Sequence, residues 1–268
     1  MKTRRLGRAV TTAKPQGALL RVAAPLLVAL VGLTVWYLLA ETSQVSKAFL
    51  PSPAAVALRI GHDWASGALI TPTLITLGEA GAGCIVAVLV ALPIGYAMVH
   101  SPLLAVALQP FLAASQAVPA VAIAPLLVVW LGYGTVPIAV LCALVVFFPM
   151  LLNVVLGLTS IAPELLDAAA LDGAHGWSLA RHLEWPLASR AVLVGLRGGF
   201  TLSITGAVVG EFVMGGNGLG MLVSVYSNTL DTAGLFATIL VLCTLAVAIY
   251  AAMLAVEHLT DPEREKIR

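Results

Sequence analysis
An all-α, polytopic membrane protein of about six transmembrane helices is the fold class this sequence predicts. Three observations predict it. Hydrophobic residues make up 60% of the 268, and the mean hydropathy is +1.01. Charged residues are 10%, against about 25% in an ordinary soluble domain, too few to cover a surface that faces water. The apolar residues also fall into runs of about 20 residues or more, the length that crosses a bilayer, divided by short polar breaks. A net charge of +1 offers no basic surface for nucleic acid. One membrane domain is expected over residues 19–258, between an N-terminal tail of 1–18 and a C-terminal tail of 259–268.

The elements follow in order. The N-terminal tail carries Lys2, Arg4, Arg5, Arg8, Lys14 and Arg21 around the start of an apolar run over 19–40. That run is too long for the core of a cleaved signal peptide, so it is expected to stay as the first span. Residues 41–72 are too polar to span; with the turn Leu50-Pro51-Ser52-Pro53 they predict an extramembrane loop with a short amphipathic helix. Further spans are predicted over 73–99, 103–131 and 135–159, divided by His100-Ser101-Pro102 and by Gly132 to Thr135. A polar loop over 160–190 precedes the last two spans, 191–213 and 233–257, with MGGNGLG between them. Pro93, Pro119, Pro125, Pro137 and Pro149 fall in or beside spans, where they either kink single helices or let the bundle rock between two open states. Cys84, Cys142 and Cys243 each sit in an apolar run without metal-ligand spacing and read as small packing residues.

Charge decides the orientation. Six Lys/Arg lie at the N-terminus, Arg181 and Arg190 in the 160–190 loop, and Arg264, Lys266 and Arg268 in the C-terminal tail, against Lys47 and Arg59 on the other side. Cytoplasmic segments are rich in Lys and Arg, so both termini and the 160–190 loop are expected in the cytoplasm.

That loop carries the most specific pattern. Asp167, Ala168 and Ala169 are followed after three residues by Gly173, and nine residues later come Leu183, Glu184, Trp185 and Pro186. Small residues on one face let a short helix sit closely in a groove, and Gly173 permits a tight turn after it. The spacing resembles the E-A-A, G, I-x-L-P loop of binding-protein-dependent ABC importer permeases, with Asp167, Leu183 and Trp185 replacing Glu, Ile and Leu. LPSPAAV, QAVPAVAIAPLLVVWLGYG, FFPMLLNVVLGL and VVGEFVMGGNGLG, in that order over residues 50–257, resemble the sulfonate, taurine, nitrate and thiamine-precursor branch. TLGEAGAG and GAVVGEF are most similar to the pyrimidine-precursor and riboflavin members.

The resemblance implies a type I ABC importer permease fold in a bacterial inner membrane. It implies a solute pathway for a small organic molecule or oxyanion: a pyrimidine or thiamine precursor, riboflavin, a sulfonate or nitrate. Asp167, Ala168, Ala169, Gly173, His175, Trp177 and Pro186 would form the loop that couples to cytoplasmic ATP-binding subunits. An extracytoplasmic solute-binding protein and a second permease copy are the other expected partners, with lipid around them. ATP and magnesium would belong to the partner ATPase, so this chain is expected to hold no cofactor and to catalyse nothing. No GxxxxGK[ST] loop is present, and the five histidines lack ligand spacing, so no metal is expected either.

Glu79 in the second span and Glu211 in the fifth are costly in hydrocarbon and are expected to face the bundle interior or water. They line or gate the path, or are satisfied at an interface. Gln116 and Asn153 read as path residues or as polar contacts between helices. An ion-coupled secondary carrier using Glu79 is the alternative function, though carriers commonly show duplicated halves and no repeat is visible here. A membrane-embedded enzyme would need a nucleophile or metal constellation in the spans, and none is visible.

Overall fold
Every regular element among the described residues is a helix. The computed structural model describes residues 18–42, 49–115 and 118–260. The sequence expectations for Gln116, Lys47 and most of the two tails lie outside the described residues.

Two units divide the chain, 1–56 and 57–268. In the first, α1 (Ala18–Thr42) takes the first apolar run. Most of its large side chains are exposed, Val28 by 71%, as a helix solvated by lipid allows. Near the end of this unit the Trp36 indole Nε1 donates to the Pro51 carbonyl at 3.1 Å. The Ser52 hydroxyl accepts from the Ala55 amide at 3.3 Å, a side-chain cap on α2 (Pro53–Ala65).

In the second unit, α3 (Ile70–His100) is followed by α4 (Pro102–Ser115), α5 (Ala120–Leu131) and α6 (Thr135–Thr159). Then come α7 (Pro163–Leu171), a single turn α8 (Trp177–Leu179), a π-helical turn Ala180–Glu184, and α9 (Trp185–Met214). The chain closes with α10 (Leu219–Asn228) and α11 (Thr232–Thr260). By length and composition four helical runs among the described residues can cross a membrane: α3, α6, Trp177–Met214 and Thr232–Glu257.

One sequence expectation needs correction. Residues 103–131 are not one spanning helix but two shorter ones, α4 and α5. Pro119 takes extended backbone at φ −71° and ψ 124° immediately before α5. A proline has no N–H to continue a helix and its ring drives the preceding residue out of the α region. A second difference is an addition: α10 begins within MGGNGLG, at Leu219, where the sequence predicts only a connection.

The core is built by α3, α6 and α9. Cys84, Ala87, Ala91 and Met98 of α3 pack with Val146, Met150, Leu151 and Val154 of α6 and Ala188 of α9. A second cluster joins Ala80, Ile138, Leu141, Cys142, Ile204 and Ala207 with Ala124 and Leu127 of α5. Small residues make this possible. A Cβ on Gly195 would stand 2.7 Å from that of Asn153, so only glycine lets α9 approach α6 this closely. Polar groups tie the same helices: the Ser203 hydroxyl donates to the Ala80 carbonyl at 2.6 Å, and the Cys142 thiol to the Ser203 carbonyl at 3.4 Å. Cys84 and Cys142 are thus packing residues, whereas Cys243 is exposed on α11.

Candidate coupling and translocation sites
α7 runs from Pro163 to Leu171 and is closed by Gly173, whose φ of +84° only glycine adopts without strain. The Ala174 amide donates to the Ala169 carbonyl at 2.9 Å and the Gly173 amide to the Ala170 carbonyl at 3.1 Å. This pair of bonds is the Schellman motif, which closes a helix and turns the chain sharply. Asp167, Ala168, Gly173, His175 and Pro186 are exposed and Ala169 is half-buried. Leu171 is 90% and Trp177 74% exposed, so the loop ends present apolar surface that no described residue covers. The predicted coupling residues therefore lie on one outward-facing loop, except Pro186, which sits in the first turn of α9.

Behind the loop is a cluster the sequence did not single out. The Glu184 carboxylate, on the π-helical turn, meets His100 Nε2 at 3.0 Å. Tyr96 stacks on His100 with centroids 4.2 Å apart and on Trp185 at 5.8 Å. Glu184 occupies the unrestricted position of the I-x-L-P pattern, and its partner is 84 residues away. No local signal connects them.

At the far end of α9 the two predicted acids come together. Glu211 is fully buried; its Oε1 accepts from the Thr76 hydroxyl at 2.7 Å and its Oε2 from the Gly220 amide at 2.5 Å. The Thr76 hydroxyl in turn accepts from the Leu219 amide at 2.9 Å. Glu211 and Thr76 thus satisfy the first amides of α10, and a carboxylate there opposes the positive end of the helix. A Cβ on Gly218 would overlap the Glu211 carboxyl, which explains a glycine in MGGNGLG. Glu79 is 4% exposed, and its carboxyl interacts with that of Glu211. Glu79 Oε2 has no hydrogen-bond partner among the described residues.

Asn153 lies apart from both acids. Its Nδ2 donates to the Pro149 carbonyl at 2.8 Å, and it lines a cavity of about 790 Å³ together with Phe111, Phe148, Ser115 and Leu202. Phe147 stands edge-on to Phe148 at 4.9 Å. The lining is aromatic and aliphatic, with Asn153 and Ser115 as its polar points.

On the side of the bundle away from α7, Arg59 joins two elements. Its Nε meets Asp63 at 2.7 Å within α2, its Nη2 meets Asp231 before α11 at 2.9 Å, and its guanidinium lies over Tyr226 of α10. Burial raises the Asp63 carboxyl, but hydrogen bonds from His62 and Arg59 outweigh it and hold the group below the usual aspartate range. The hydrogen bond to Asp63, with Tyr226 and Asp231 beside it, in turn raises Arg59.

Comparison with known proteins gives this geometry its context. Residues 82–261 match the family described as binding-protein-dependent transport system inner membrane component. The chain is 41% identical over 210 residues to the riboflavin transport system permease RibX of Chloroflexus aurantiacus, covering 78% of each chain. It is 30% identical to the formylaminopyrimidine transport permease ThiX of Halalkalibacterium halodurans, over 81% of this chain and 86% of that one. It is 28% identical to the taurine transport permease TauC of Escherichia coli, over 86% of both. Among solved structures, an inward-facing form of the MetNI methionine ABC transporter superposes with a TM-score of 0.65 at 16% identity, covering 72% of this chain and 95% of that one. The chain belongs to the family of binding-protein-dependent inner-membrane transport components and is the transmembrane permease subunit of an ABC importer.

Proposed function
We propose that this permease carries a planar heteroaromatic solute of the riboflavin or pyrimidine-precursor class, with its 160–190 loop docked on a cytoplasmic ATP-binding subunit. Two copies form the pathway, both termini lie in the cytoplasm, and an extracytoplasmic binding protein delivers the solute. Nucleotide binding closes the ATPase pair, the exposed α7 and the Gly173 turn move with it, and the spans exchange inward for outward access. ATP and magnesium stay on the partner.

The observation that carries the solute class is the 41% identity to a riboflavin permease over 78% of the chain. The cavity agrees with it. About 790 Å³ falls within the roughly 300–1,000 Å³ of small-molecule sites, and Phe111 and Phe148 offer apolar faces to a fused ring. Asn153 supplies hydrogen bonds to ring nitrogens or carbonyls. A sulfonate or nitrate would instead call for a cationic side chain, and none lines this cavity among the described residues.

The test is uptake into proteoliposomes holding the permease with its cognate ATPase and binding protein. Labelled riboflavin, formylaminopyrimidine and taurine are offered in turn. ATP-dependent uptake of one of the first two, unaffected by excess taurine, is expected. Taurine uptake alone would overturn the solute class, and uptake without the ATPase would overturn the docking.

A further inference from the structure
A pair of ionisable groups, one buried and one exposed, sits between the outward-facing loop and the core, at a place the transport reading leaves without a task. Glu184 is 6% exposed along its side chain and His100 41%. His100 Nδ1 is 3.0 Å from the Tyr96 carbonyl, which can only accept, so Nδ1 carries a hydrogen. Nε2 faces Glu184 Oε1 at 3.0 Å, which fixes the ring from both sides. The second Glu184 oxygen is buried without a hydrogen-bond partner among the described residues.

The backbone is specialised at the same point. Ala180–Glu184 form a π-helical turn in which the Trp185 amide donates to the Ala180 carbonyl, five residues back. Single π-turns are rare and recur at functional sites. This one sets Glu184 and Trp185, adjacent in sequence, against His100 and Tyr96, one turn apart at the end of α3. The end of the coupling loop therefore grips the last turn of α3 by a polar contact and a ring stack.

Stability alone does not account for the pair. With His100 exposed, a contact of this kind adds little to stability, so its use here points to geometry. Farther along the bundle α3 and α9 are tied by the Ser203–Ala80 and Thr76–Glu211 hydrogen bonds, so Glu184–His100 is the polar tie at the loop end of that contact.

We infer that Glu184 and His100 form a strut that makes the end of α3 move together with the coupling loop when the ATPase closes. The inference rests on the docking reading above. Both are positioning residues, acting through α3 on the path.

The test uses the full permease–ATPase complex in nanodiscs with a non-hydrolysable ATP analogue and magnesium. Spin labels are placed at the exposed Leu103, just past α3, or Leu171 in the loop, each against Tyr133 at the opposite end; these sites are 82%, 90% and 83% exposed. In the unmutated strut, nucleotide is expected to change both distances. Glu184→Leu and His100→Leu, which fill the same space without polarity, are expected to keep the Leu171 change and lose the Leu103 change. Glu184→Gln retains a hydrogen-bonding partner for Nε2 and is expected to keep both. Persistence of the Leu103 change in both leucine variants would overturn the strut while leaving the docking intact. Absence of a Leu171 change without any strut mutation would overturn the docking itself, and the strut with it.

Discussion

At the residue scale, burial decides what Glu79 can tolerate. It is 4% exposed beside the carboxyl of Glu211, with Oε2 unpaired among the described residues. Glu79→Gln keeps the shape and brings an amide that donates to a neighbouring carboxylate. Glu79→Leu keeps bulk but removes every polar contact and leaves its neighbour without that partner, a loss of about 1–3 kcal/mol. The glutamine variant is expected to assemble with the ATPase at normal yield and the leucine variant at reduced yield, measured by co-purification. Full yield for Glu79→Leu would show that the carboxyl contributes nothing to packing. Both acids stand out in the sequence as charges in apolar runs. Their mutual contact does not, because 132 residues separate them and nothing local registers the pairing.

At the element scale, the loop over 160–190 depends on one backbone position. Gly173 holds φ +84° in a Schellman turn, where any side chain costs on the order of 1–2 kcal/mol. Gly173→Asp adds that strain and a charge on the exposed face of the loop, yet a Cβ there meets no atom within 4 Å. The bundle is therefore expected to fold, with ATPase activity retained and ATP-driven uptake lost in proteoliposomes. Normal uptake would remove the loop from the coupling path. The α2 contact gives a prediction in pH. Asp63 is held below its usual range by Arg59 and His62, so its stabilisation is present above the unfolded value of about 3.9 and fades as pH falls through the lower folded value. Acid unfolding of the detergent-solubilised chain should therefore begin at higher pH in Arg59→Ala. An unchanged acid midpoint would show that the link contributes little.

At the scale of the whole molecule, topology follows from charge. The excess of Lys and Arg in the tails and the 160–190 loop predicts cytoplasmic termini, and a C-terminal fusion is expected to be active only with a cytoplasmic reporter. Activity of a periplasmic reporter there would reverse the orientation. The helical class and most spans were legible because hydropathy and length are local properties. Two features were not. Hydropathy runs unbroken from Leu103 to Leu131, so it conceals the α4–α5 interruption that Pro119 imposes. α10 is only ten residues long, and its N-terminus is fixed by Glu211 and Thr76, residues remote in sequence. That Asp167, Ala168, Ala169 and Gly173 share one exposed helix-and-turn was legible from spacing, whereas the Glu184–His100 contact needed three dimensions.

The bonds that cross the core have a consequence for biogenesis. Thr76 and Ala80 enter the membrane with α3, but their partners Glu211 and Ser203 come 135 and 123 residues later. At about 5–20 residues per second, ribosomes make the second half of each pair on the order of ten seconds after the first. During that interval a nascent α3 carries Glu79 into the bilayer with no α9 to shield it. A chain truncated after Thr159 is thus expected to be cleared rapidly by membrane proteases in pulse-chase labelling. Co-expression of a fragment beginning near Ser160 should restore its half-life.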